Sequence, residues 1–72
     1  MDDRLEQLFK QISDGQLRFR AAGASLADIE SFQRTVRDLR ELEANGYIDI
    51  LDEHSEDHTG AHLIDLVLVR KR

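Results

Sequence analysis

Three arginines in the middle of the chain have the type and spacing needed to contact a ligand. Arg34, Arg37 and Arg40 lie within the segment R-T-V-R-D-L-R, which has the periodicity of a helix. Arginine pairs well with guanine and glutamine with adenine in a major groove, so Gln33 and Thr35 join them as candidate contacts to duplex DNA. These five residues form the first candidate site.

The same arginines also suit a purely structural interpretation. Arg34 lies four residues after Glu30 and four before Asp38, and Arg37 lies four before Glu41. Each opposite-charge pair at this spacing stabilises an exposed helix by about 0.2–0.5 kcal/mol. Both interpretations, DNA contact and salt-bridged helix surface, stay open at this point.

A second group of candidate residues is histidine-rich. His54 and His58 occur within the acidic segment D-E-H-S-E-D-H, and His62 follows four residues after it. Imidazole and carboxylate groups are typical ligands of zinc and nickel, but the spacing matches no recognised metal motif. We therefore predict no metal and no cofactor. The chain also has no glycine-rich phosphate loop, nucleophile elbow or HExxH helix, so we do not expect an enzyme.

Length and charge restrict the classes of protein further. The chain has 72 residues, which predicts one small domain spanning 1–72 with a marginal core. Its net charge of −5 argues against non-specific coating of nucleic acid, although a local basic face that includes Arg18 and Arg20 remains compatible. There is no cysteine, which suits a reducing, cytoplasmic compartment. The longest apolar run, 66–69, is far shorter than the roughly 20 residues that span a bilayer, and no signal peptide is recognised, so we expect no membrane association.

The first part of the chain predicts a helix followed by a short strand. Residues 2–14 carry one apolar stripe with helical spacing, and Gly15 is a typical stop. Residues 16–20 then alternate between polar and apolar side chains, as a half-buried strand does.

A longer helical region occupies residues 25–44. Ser25 is a suitable cap, apolar residues recur with helical spacing up to Leu42, and Asn45-Gly46 ends the pattern. The pattern permits one continuous helix. It equally permits a break near Ser31 that would make two helices.

The last part predicts a β-hairpin with strands at 47–53 and 62–70. If His54 is opposite His62, one face buries Ile48, Ile50, Ile64, Leu66 and Leu68 against the helices. The other face then carries an apolar strip that nothing in the pattern covers. This strip, consisting of Tyr47, Leu51, Val67 and Val69, is the candidate interface for a protein partner or for a homodimer.

Two segments resemble the winged helix-turn-helix family. Leu26-Ala27-Asp28-Ile29 is similar to the start of its positioning helix, and T-V-R-D-L-R-E-L-E-A-N-G-Y-I at 35–48 is similar to its recognition helix running into the wing. The resemblance implies an α+β domain in the order helix, short strand, helical region (one long helix or two short ones), β-hairpin.

The leading functional hypothesis is therefore DNA binding in transcription regulation, with duplex DNA as the partner. The alternative is a protein–protein interaction module that uses the outer face of the hairpin and does not bind DNA. A break near Ser31 would favour the first hypothesis, because it would let the second helix enter a groove by its N-terminal end. A continuous helix from 25 to 44 would favour the second.

Overall fold

The computed structural model describes residues 2–12 and 15–72, and these residues form two helices and three strands. In chain order the elements are α1 (Asp3–Lys10), β1 (Gln16–Arg20), α2 (Leu26–Ala44), β2 (Ile48–Ser55) and β3 (Ile64–Lys71). The predicted α+β class and the predicted order of helix, strand, helical region and hairpin are both present.

Helix α1 is shorter than the pattern predicts. Asp2 caps its start by accepting the Arg4 N–H at 2.8 Å. Its last helical residue is Lys10, after which the N–H of Ile12 bonds to the oxygen of Phe9 at 3.0 Å. Ile12 is nevertheless buried in the core, so the apolar stripe continues beyond the helix. The last two residues of the predicted helix, Ser13 and Asp14, lie outside the described residues.

Helix α2 is a single continuous helix. Ser25 caps it as predicted, since its Oγ accepts the Asp28 N–H at 3.2 Å and its hydroxyl donates to the Asp28 carboxylate at 2.8 Å. The helix ends where Gly46 adopts a φ of 84°, and the next N–H, of Tyr47, bonds back to the oxygen of Leu42 at 3.0 Å. Of the two alternatives for residues 25–44, the structure contains the unbroken helix.

The three strands form one antiparallel sheet in the order β1-β3-β2, and both helices cover the same face of it. Helix α2 packs on β2 and β3, and α1 packs on α2. The buried side chains of this two-layer core are Leu5, Leu8, Ile12, Phe32, Val36, Leu39, Leu42, Ile48, Val67 and Val69.

The hairpin has a different register from the predicted one. His54 is opposite Leu66 rather than His62, and the strands extend to Ser55 and start at Ile64. As a result Val67 and Val69 point into the core and are 0% exposed. The prediction that Leu66 and Leu68 pack against the helices is therefore wrong. That for Ile48, Ile50 and Ile64 is confirmed, because Ile48 is buried and Ile50 and Ile64 pack against the core.

The loop between the strands provides the physical reason. Glu56 donates its backbone N–H to the oxygen of Leu63 at 2.8 Å, which closes the loop at 56–63. His62 has a φ of 53°, in the left-handed region, so the second strand does not begin there. Two irregularities, at Leu51 and Asp65, then change the pairing further. Register follows from these local geometries, and it decides which face of each strand is buried.

Candidate functional site

The candidate DNA contacts on α2 do not share one exposed face, and Gln33 is the clearest case. Its Nε2 donates to the backbone oxygens of Ile29 at 2.9 Å and Ile64 at 2.5 Å, and its Oε1 accepts the N–H of Ile64 at 3.3 Å. Thr35, on another side of the helix, is half-buried. The hydrogen-bonding groups of Gln33 are thus used inside the domain, where they attach α2 to the start of β3.

Arg40 is also engaged within the domain. Its Nη2 lies 3.0 Å from Oε2 of Glu53, a residue of β2 that is opposite Val67 and so faces the helices. The pair connects α2 to the hairpin. Because Arg40 is largely exposed, a pair of this kind contributes about 0–1 kcal/mol.

Arg34 and Arg37 are exposed and form no ion pair within the part of the chain that the structure describes. They line a shallow hollow together with Arg4, Asp38 and Glu41. Among the described residues none of the three predicted i,i+4 ion pairs within α2 is formed. Instead, Oδ2 of Asp38 lies 3.2 Å from Nε of Arg4 in α1. The exposed surface of α2 therefore mixes both signs of charge.

The four residues predicted to form an apolar strip on the hairpin lie in different places. Val67 and Val69 are buried in the core, so their assignment to a protein interface is wrong, for the reason of register given above. Tyr47 packs its ring against Phe9 of α1, with 5.5 Å between the ring centroids. Leu51 is the extra residue of the bulge in β2 and is 38% exposed.

The face of the sheet that points away from both helices, called the outer face below, carries a different apolar centre. Leu66 and Leu68 lie on the central strand β3 and are only half-buried. Leu51 alternates with the inward-pointing Ile50 and so also faces outward. The side chains of the outer face are Gln16, Arg18, Arg20, Asp49, Leu51, Asp52, His54, Leu66, Leu68 and Arg70.

The sequence pattern could not identify these leucines as outward-facing. Residues 66–69 are all apolar, and a period of two gives the same signal whichever pair is buried. The only cue was the acidic, glycine-bearing loop whose closure sets the register.

Charge is distributed unevenly across the outer face. Leu68 lies between Arg18 of β1 and Asp52 of β2, which are its partners on the two sides. Two residues before Leu68 on β3, Leu66 lies between Arg20 of β1 and His54 of β2. The β1 side of the outer face is therefore basic, and the β2 side carries carboxylate.

Asp49 neutralises one end of this face. Its carboxylate accepts hydrogen bonds from Arg72 Nε at 2.7 Å and Arg70 Nη2 at 3.2 Å. These two bonds hold the pKa of Asp49 below its ordinary value, and the bond from Arg72 has the larger effect. Within 2–12 and 15–72, by contrast, Arg18, Arg20 and Asp52 take part in no ion pair.

The three histidines are not gathered into one site. His54 Nδ1 lies 2.7 Å from Asp65 Oδ1, and this hydrogen bond raises the pKa of His54 above 6.5. His58 Nε2 lies 2.9 Å from the backbone oxygen of Ala24, which joins the loop at 56–63 to the segment before α2. The described part of the chain brings no three histidine, aspartate or glutamate side chains together in a group that could hold a metal ion.

Comparison with known proteins gives no relative. No protein-family model matches the sequence, no curated protein is significantly similar to it, and no solved structure matches it significantly. No helix among the described residues is long and apolar enough to cross a membrane.

Proposed function

We propose that this domain is a protein-interaction module that binds its partner through the outer face of the sheet. The observation that carries the proposal is the position of Leu66 and Leu68, which lie side by side on the central strand of a face that neither helix covers. An antiparallel sheet with one solvated face usually alternates apolar-in and polar-out, so two leucines pointing outward at the centre are unusual. Covering apolar surface contributes about 25 cal/mol per Å², which makes these side chains the natural anchors of a contact.

The surroundings of the leucines fit a specific contact. Arg18 and Arg20 lie along one edge and Asp52 along the other, so a partner meets an apolar centre with a polar rim. This arrangement is typical of interfaces, in which charges are depleted at the centre and remain at the margin. The rim charges supply orientation and specificity more than affinity.

The alternative proposal, a winged-helix domain that binds DNA, rests on the order of the elements and on the exposed side chains of Arg34 and Arg37. It has less support. Because α2 is continuous from Leu26, residues 33–40 lie in its middle rather than at an N-terminal end that could enter a groove. Gln33 and Arg40 are engaged with Ile64 and Glu53, and acidic residues surround the remaining arginines.

Site-specific photo-crosslinking in the native host tests the interaction proposal. A photoreactive phenylalanine analogue placed at Leu68 should give a covalent adduct with an identified protein, and Leu66→Ser in the same chain should abolish it. The same analogue at Arg37, on the exposed side of α2, is the matched control and should give no such adduct. Absence of a protein adduct at Leu68, with the chain folded, would refute the proposal.

Selection from a random duplex pool at low salt tests the DNA alternative. Enrichment of a sequence motif that is lost in the Arg34→Ala plus Arg37→Ala variant would establish readout by α2. Because few basic side chains cluster there, log affinity should fall against log salt with a slope of about −3 to −4. If no motif is enriched, the DNA alternative is refuted.

A further inference from the structure

We infer that the partner of the outer face is a second copy of this chain, packed face to face about a two-fold axis parallel to β3. This inference rests on the proposed function, since it names the occupant of the same surface. It follows from the layout of charge: Arg18 and Arg20 lie on the β1 side, Asp52 and the His54 ring bonded to Asp65 lie on the β2 side, and the leucines lie on the strand between them.

Symmetry selects the orientation. An interface between identical copies uses the same patch twice, so each residue must meet a complementary one. If the axis lay across the strands, β1 would face β1 of the other copy and arginine would meet arginine. If the axis runs along β3, β1 faces β2 of the other copy, and Arg18 meets Asp52 in two equivalent contacts, because both lie level with Leu68. Arg20 then meets His54, whose ring is bonded to the Asp65 carboxylate.

The same axis brings the apolar centres together. Leu68 and Leu66 lie on the strand that runs directly beside the axis, so each leucine packs on its own equivalent in the second copy. At the end of the face Arg70 is already neutralised by Asp49, which limits repulsion there between the two copies. Sheets packed in this way lie about 10 Å apart with their strands within about 30° of each other.

Pairing through the β2 edge of the sheet fits the structure less well. On the edge strand β2 the N–H of Ile50 donates to the carboxylate of Glu43 at 2.7 Å, so this group is occupied. The bulge at Leu51 interrupts the same edge. Both features discourage the addition of a strand at the β2 edge.

The size of the face predicts the strength of the contact. At ordinary strand spacings the outer face measures about 14 Å across the three strands and about 17 Å along β1. The area of this face is smaller than the area that each copy contributes to the interface of a stable dimer. We therefore expect a weak, reversible dimer with a dissociation constant of about 100 µM.

Charge reversal in two separate chains tests the inference directly. The Arg18→Asp variant carries acidic side chains at positions 18 and 52, whereas the Asp52→Arg variant carries arginine at both. Each alone places like charges opposite each other at both contacts and should dimerise at least about 10-fold more weakly than the native chain. Mixed in equal amounts, the two variants should form a heterodimer with a dissociation constant within about 3-fold of the native value.

Sedimentation equilibrium from about 10 µM to 1 mM is the measurement, with thermal melting to confirm that each variant is folded. Leu68→Ser should abolish association, and Arg37→Asp, on α2, should leave it unchanged. The inference would be overturned if the native chain stayed monomeric at 1 mM. It would also be overturned if the mixture stayed monomeric although both variants were folded. If Leu68 still crosslinks to a different protein, only the second copy is refuted; if it crosslinks to none, the interaction module is refuted as well.

Discussion

Thr59 holds the buried carboxylate of Glu56 by two hydrogen bonds, one from its backbone N–H at 2.9 Å and one from its hydroxyl. The N–H of Leu63 adds a third at 3.2 Å. These bonds lower the pKa of Glu56 from 4.5 to about 2, and the bond from the Thr59 hydroxyl has the largest effect. The loop between β2 and β3 is thus organised around one ionised side chain.

Stability should therefore depend on acid pH through Glu56. Because its pKa is lower in the folded chain than in the unfolded one, its contribution is complete above about pH 4.5 and is lost as the pH falls towards about 2. We expect the melting temperature of the native chain to fall more steeply over this range than that of Glu56→Gln. The exposed neighbour provides a control, since Asp57→Asn should keep the native slope. Parallel curves for the native chain and Glu56→Gln would contradict the prediction.

Leu39→Ala should destabilise the fold by about 2–5 kcal/mol, much of what a domain of this size possesses. Leu39 is 0% exposed and belongs to the cluster that joins both helices to the sheet. Chemical denaturation followed by circular dichroism measures the change. Leu26→Ala, in the same helix but 47% exposed, should change stability by no more than about 0.5 kcal/mol. Similar losses in both variants would show that core burial is not the cause.

Gln33→Ala should cost about 1–3 kcal/mol, because the backbone groups of Ile64 lose their side-chain partner in a partly buried position. Amide hydrogen exchange should also accelerate at Ile64, whose N–H the Gln33 Oε1 accepts. The adjacent Arg34→Ala is the control and should alter neither quantity by much, since Arg34 is exposed. Unchanged exchange at Ile64 in the Gln33 variant would rule out this attachment.

Asp65→Asn should lower the pKa of His54 towards 6.5, because the hydrogen bond and charge of Asp65 are what raise it. Because the pKa of His54 is higher in the folded chain than in the unfolded chain, the pair stabilises the fold fully below about pH 6.5. This stabilisation is lost as the pH rises through the pKa of His54 in the folded chain. NMR titration of the His54 ring protons measures the pKa. Asp57→Asn should lower it less, since Asp57 acts only through charge. An equal effect of the two substitutions would argue against the specific contact.

Local signals in the sequence determined the two ends of α2 and the bounds of the first strand, but not whether residues 25–44 form one helix or two. Ser25 caps α2, the apolar spacing up to Leu42 keeps it regular, and Gly46 takes the left-handed conformation that ends it. Strand β1 has the bounds that its alternation predicts. These features depend on residues within a few positions of each other, so one sequence is enough to read them.

The candidate surface on α2 was predictable only in part. Periodicity correctly places Arg34 and Arg37 on the exposed side, yet the partners of the neighbouring charges come from other elements: Arg4 of α1 for Asp38 and Glu53 of β2 for Arg40. Helical spacing offers partners at i+4, but long side chains take whichever opposite charge the packing brings nearest. That choice is made by the arrangement of the elements.

Only the tertiary structure decided which side of the hairpin is exposed. Along β3 every residue from Leu66 to Val69 is apolar, so the pattern accepts either face as the core. The choice was made by the closed loop at Glu56, by the bulges at Leu51 and Asp65, and by pairing with β1, which together turn Val67 and Val69 inward. Because side chains alternate along a strand, these contacts between distant parts of the chain leave Leu66 and Leu68 on the outer face.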